Sequence, residues 1–134
     1  MREKELEERQ MEMARIVTAL NTQQEKLQNI FQRQRENTLM QETLAAAENL
    51  DIFQLEEHRT FGIKLIGDAK NQERIIANTK TILERKQLEV KEAYQKVETL
   101  KKLKEKQEKE FYKEFLHAEM KEIDDISSAR FKIG

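Results

Sequence analysis

Two histidines, His58 and His117, are the side chains that could take up or release a proton near neutral pH without help. Glu114-Phe115-Leu116-His117 spells the Glu-x-x-His of helical di-iron sites, which places both ligands on one helix face. Such a site needs a second copy and two more inward carboxylates on a four-helix bundle. Leu55 stands three residues before His58, so the second copy fails. The absence of cysteine removes disulfides, thiolate nucleophiles and cysteine zinc ligands together. No glycine-rich phosphate loop is present, and no nucleophile lies beside a base in a sequence that could enclose a pocket. The sequence therefore calls for no metal and no cofactor, and it does not read as an enzyme.

What remains is the chemistry of association. Phe111, Phe115, Leu116, Met120, Ile123 and Ile126 succeed one another at steps of about three or four residues, which makes an apolar stripe on a helix. An uncovered stripe of this kind is a partner site; the alternative is that it pairs with further sequence of the first helix. A second apolar segment contains Ile52, Phe53 and Leu55, then Phe61, Leu65 and Ile66. Lys101, Lys102, Lys104, Lys106 and Lys109 crowd together with glutamates interleaved, the pattern of a solvated face with i,i+4 pairs.

The elements that carry these residues are set by a seven-residue repeat. Ile76, Leu83, Val90 and Val97 form one line, with Thr79, Ala93 and Leu100 at the intervening positions. Leu6, Met13, Leu20 and Leu27 form another, with Ile16 and Ile30 between them and Val17 and Phe31 beside the seam. These are the a and d positions of a coiled coil. Beyond Phe31 the first seam turns polar, with Gln34, Asn37 and Gln41 where apolar residues were due; Lys86 and Gln107 interrupt the second. The sequence holds no proline and three glycines, and 38% of its 134 residues are charged against 37% hydrophobic. With a mean hydropathy of −0.88, that composition suits a solvent-bathed coiled coil once periodicity has ruled out disorder.

The expected fold is all-α: a long antiparallel two-helix coiled-coil hairpin with a short helix at the turnaround. A single coiled-coil domain spans 1–134, with helix one over 1–48, the turnaround over 49–68, helix two over 69–127 and a frayed tail over 128–134. Asp51 is placed to cap a fresh helix, with Gln54 completing a capping box, and Gly67-Asp68 to end it. Folding back about this turnaround puts Leu27 near Val90 and Leu6 roughly opposite Phe111, so that the end of helix two overhangs. The net charge of −1, finely mixed, argues against nucleic acid or an anionic membrane as partner. Met1-Arg2-Glu3-Lys4-Glu5 lacks the apolar core of a secretory signal, and no apolar run approaches a membrane span. The expected location is cytosolic.

The far end reads Ala118-Glu119-Met120-Lys121-Glu122-Ile123-Asp124-Asp125-Ile126-Ser127, then Phe131. This resembles the C-terminal signature of the FliJ family, a component of the bacterial flagellar type III export apparatus, and the resemblance extends to the order of helices. Family members usually open with a short phenylalanine-containing segment before the Arg-Glu stretch at which this sequence begins, an absence expected to leave the overhang uncovered. The resemblance implies a non-enzymatic stalk that sits in the centre of the hexameric flagellar export ATPase, promotes its assembly, and reaches the cytoplasmic domain of the export gate. It also implies a general chaperone role toward export chaperones, and a cytoplasmic place peripheral to the inner membrane at the flagellar base. On that reading Phe111, Phe115, Leu116, Met120, Ile123 and Ile126, with Phe131 beyond them, enter the ATPase ring, and Phe61 and Leu65 contact the gate. Escort of export chaperones, or a plain structural coiled coil dimerising through the overhang, are the alternatives.

Overall fold

The computed structural model describes the backbone of residues 2–133 and the side chains of residues 2–130. Two α-helices account for nearly all of it: α1 (Arg2–Ala46) and α2 (Ile52–Ile133). They pack against each other as an all-α helical hairpin. The chain divides into two compact units, one of residues 7–91 and one that joins residues 1–6 to 92–134.

Within residues 7–91 the seam is regular. Met13, Leu20, Leu27, Gln34 and Gln41 are buried or half-buried at every seventh residue of α1, and so is the companion line Arg9, Ile16, Gln23, Ile30, Asn37 and Leu44. On α2 the corresponding lines run Leu55, Gly62, Ala69, Ile76, Leu83, Val90 and His58, Leu65, Gln72, Thr79, Lys86. A repeat of seven keeps these side chains on one supercoiled stripe. The centre of packing is Ile30, Leu65 and Ala69, with Leu27 and Phe31 laid against them.

Polar contacts set the register. Arg9 Nη1 reaches Glu89 Oε2 at 3.3 Å and Lys86 Nζ donates to Glu12 Oε2 at 3.1 Å. Further along, Gln72 Nε2 donates to the Gln23 carbonyl at 2.9 Å, and Asn37 Nδ2 to the His58 carbonyl at 2.8 Å. The helices are thus antiparallel, but Leu27 lies against the Ile30, Leu65 and Ala69 cluster and not near Val90.

The expected turnaround helix is the reason for that shift. Residues 52–68 are the opening turns of α2, with no break at Gly67, and they pair with α1 instead of bridging the two arms. The turn is therefore short. Ala45 and Ala46 carry α1 to its end, Ala47 N closes on the Leu44 carbonyl, and Asp51 caps the start of α2. Asp51 Oδ1 accepts from Phe53 N at 3.0 Å and Gln54 N at 3.2 Å, taking up two amide donors that a helix start leaves free. A glycine costs a helix interior about 1 kcal/mol relative to alanine, too little to break so long a helix. Both glycines keep helical backbone, since no residue among those described has positive φ.

Gly62 has a packing reason to be glycine. A Cβ there would stand 2.9 Å from Asn37 Nδ2 and 3.3 Å from Gln41 Nε2, the two amides that donate to the His58 carbonyl. Gly67 faces open space. At the far end, α2 stays helical to Ile133 where a frayed tail over 128–134 was expected; Gly134 lies outside the described residues. Ser127, Ser128 and Ala129 contain no breaker, so nothing local ends the helix there.

Lys86 occupies a seam position by pairing. Its ammonium donates to Glu12 and Glu89, which holds it above the usual lysine range, and the bond from Lys86 holds the Glu12 carboxyl below the usual carboxylate range. A lowered carboxyl contributes stability that is complete above its unfolded-state pKa and lost as pH falls through the folded one. A raised amine contributes stability that is complete below its unfolded-state pKa and lost as pH rises through the folded one. Lys86→Met should therefore flatten both the acid and the alkaline limbs of a melting-temperature profile against pH, while neutral pH shows little change because the pair is largely solvated. Separately, Gly67→Ala should raise stability by about 1 kcal/mol in urea unfolding. Gly62→Ala should fail to do so, because its gain in propensity is offset by loss of hydrogen bonds worth about 1 kcal/mol each.

Candidate functional site

The unit formed by residues 1–6 and 92–134 contains a buried beginning and a bare remainder. Ala93 and Val97 are buried, Leu6 is half-buried, and Arg2 lies along Gln95, Thr99 and Leu100. The overlap of the two helices in this unit therefore ends near Leu100, and Leu6 is not opposite Phe111. Every side chain from Thr99 to Arg130 is exposed. At 1.5 Å per residue that is a bare helical length of about 48 Å.

Among those residues the apolar stripe stands as expected, with Phe111 72% exposed and Phe115, Leu116, Met120, Ile123 and Ile126 all exposed. Phe131 belongs to the same reading, but its side chain lies outside the described residues. Tyr112, which the three- and four-residue steps pass over, is exposed beside it. The stripe does not prolong the hairpin seam. Continued in sevens, the line through Val90 and Val97 meets Lys104, Phe111, Ala118 and Asp125, and its companion through Ala93 and Leu100 meets Gln107, Glu114 and Lys121. Phe111 stays on the first line, but Tyr112, Leu116, Ile123 and Ile126 fall one or two residues off these lines, on a different side of the helix. Lys104 and Gln107 end one packing face, and Tyr112 begins another.

The second expected contact, in the unit of residues 7–91, separates into two different residues. Leu65 is 2% exposed and is the most buried large side chain, so it serves as packing and does not offer a contact surface. It falls on the seven-residue line through His58 and Gln72, a placement hidden by the polar residues on either side. Phe61 is 41% exposed. Around the interhelical turn, Leu50, Ile52 and Phe53 are more open still. Their signal in the sequence is the pair Ile52-Phe53 directly after the Asp51 cap, since the first turn of a helix faces little of its partner.

Glu114 and His117 both lie on the bare helix, and among the described residues no three His, Asp or Glu side chains come together to hold a metal ion. His58 Nδ1 lies 3.1 Å from Asn37 Oδ1. With Asn37 Nδ2 already donating to the His58 carbonyl, Oδ1 is the acceptor and Nδ1 the donor, an assignment that serves packing. Among the described residues no helix is long and apolar enough to cross a membrane.

A helical hairpin with an apolar stripe on uncovered helix defines a coiled-coil protein. Within that class, the family model described as Flagellar FliJ protein matches residues 1–133, and the chain belongs to the FliJ family. No curated protein and no solved structure matches it. Membership implies a role related to flagellar export.

Leu65→Ala should cost about 3 kcal/mol, as loss of a buried leucine does, and lower the melting temperature sharply. Phe61→Ala should leave helicity and melting nearly unchanged. Circular dichroism melts of both variants separate a packing side chain from one free to meet a partner.

Proposed function

We propose that the chain is a stalk-like regulator of the flagellar export ATPase, entering the centre of the hexameric ring with its bare helix and meeting the cytoplasmic domain of the export gate through the exposed face around Phe61. The observation that carries this reading is the stripe from Phe111 to Ile126. Large apolar side chains left in water on an isolated helix have no packing role within their own unit, and covering them in a partner is favourable at about 25 cal/mol per Å². Family membership supports the export apparatus as the place to look for that partner.

The ring reading also suits the change of phase. A face turned away from the hairpin seam is open to a partner that wraps the helix, whereas continuation of the seam would invite only another strand of the same hairpin. The chain would then work at the cytoplasmic side of the inner membrane, peripheral to it. Escort of export chaperones is the second reading; it is favoured by exposed apolar residues elsewhere on the hairpin, such as Met11, Leu39 and Leu88.

Combined substitution of Phe115, Met120 and Ile123 by serine should abolish co-sedimentation with the ATPase and stimulation of its hydrolysis, with the hairpin's melting unchanged. Retained binding would reject the ring assignment. Binding to export chaperones in the absence of ATPase, with no stimulation of hydrolysis by the unaltered chain, would favour escort.

A further inference from the structure

The bare part of α2 is self-complementary in charge. Over residues 101–113 six lysines stand against three glutamates, whereas over 114–125 five acids stand against Lys121 alone. All of these side chains are exposed, and α1 has stopped covering α2 before most of them begin. Laid antiparallel on a second copy of itself, each half of this helix meets the opposite charge. Laid parallel, each half meets its own.

The same stretch carries a seam of its own. Glu105, Tyr112, Glu119 and Ile126 recur in sevens, and Lys109, Leu116, Ile123 and Arg130 recur in sevens between them, at alternating steps of four and three. Those are coiled-coil lines, and they are not the lines through Val97 and Leu100 that face α1. Phe115 and Met120 flank them, and both are exposed. The apolar members leave on the order of 500 Å² per copy in water, so a pair covers about 1,000 Å², the lower limit of a specific interface.

We infer that the free chain pairs with a second copy of itself, bare helix against bare helix and antiparallel, over residues 105–130. In this register Tyr112 packs on Ile123 of the second copy, Lys109 lays its methylenes along Ile126, and Glu105 meets Arg130. A two-fold axis repeats each contact. Leu116 lies across from Glu119, a polar layer that sacrifices some attraction and helps fix the register. Sliding by one heptad sets Glu108 against Glu122 in one direction and Glu122 against its own copy in the other, so charge selects this alignment. The overlap begins at Glu105, beyond the reach of α1, and the contacts of the hairpin stay as they are. The stripe that the proposed function gives to the ring is thereby covered in the free chain, and so small an interface yields it to a larger partner. The pairing itself does not depend on that function.

Sedimentation equilibrium of the full chain between about 1 and 300 μM should show a monomer–dimer equilibrium with a micromolar midpoint. Glu105→Arg and Arg130→Glu should each weaken it by about tenfold, because symmetry doubles each change, and the two together should restore it. Lys109→Cys mixed with Ile126→Cys should form an intermolecular disulfide on air oxidation, and neither should do so alone; the chain has no cysteine of its own to compete. All four side chains are exposed, so the variants should keep the hairpin's circular dichroism. A chain that stays monomeric across that range overturns the inference, as does a dimer that both charge reversals leave unchanged. A disulfide formed by either cysteine variant alone reports a parallel pair and overturns it too. Co-sedimentation with the export ATPase reads the ring assignment separately, so that loss of either reading leaves the other standing.

Discussion

Everything in the hairpin depends on two narrow stripes that have only each other to exclude water. A pair of helices has no third element to close over the contact, so each seam position is flanked by solvent and few side chains are fully covered. Stability must then come from regularity along the length and not from depth. This explains the unbroken seven-residue line on α2, from Leu55 to Val97, and the tolerance of glutamine, asparagine and lysine within the seam. A polar group at such a position keeps one side in water while it bonds across the seam, as Lys86 does with Glu12 and Gln72 with the Gln23 backbone. Polar layers of this kind sacrifice some attraction and gain specificity of pairing.

The fold class and both long helices are legible in the sequence because apolar residues recur in sevens wherever the seam is strong. Leu6 to Ile30 and Ile76 to Val97 show their phase directly. The stretch between is easily misjudged because its line positions are Leu55, Gly62 and Ala69, accompanied by His58 and Gln72. Counting back in sevens from Ile76 finds them, but glycine and histidine carry no apolar signal, and Gly67 and Asp68 imitate a stop. One misplaced boundary is enough to slide the two arms past each other and to move the start of the bare helix from about Leu100 to beyond Phe111. The exposed stripe survives that error, since it depends only on periodicity within one helix. Leu65 does not, since an apolar residue's burial depends on what lies across the seam.

The two units put apolar surface to different uses. In residues 7–91 the large side chains at seam positions are withdrawn into pairing, and the most exposed of the others, Ile52 and Phe53, lie beside the turn. In residues 92–130 the relation reverses past Leu100: most seam positions turn polar or charged, and most of the aromatic and aliphatic residues sit off the seam on an exposed face. This division leaves apolar surface exposed without disturbing the contacts that keep the hairpin paired.

The short turn also governs how the hairpin comes together in time. Bonds across the seam join residues 17 to 21 apart beside the turn, 49 apart at Gln72, and 74 and 80 apart at Lys86 and Arg9. Closing the near pairs first leaves each later pair only a few residues of slack to gather, so the entropic toll of loop closure is met in small instalments. The arms should zip outward from Asn37 and His58, through the Ile30, Leu65 and Ala69 cluster, to the ion pairs. Loss of structure should run in the opposite sense, with fraying that begins at the ends of the arms and leaves the turn until last.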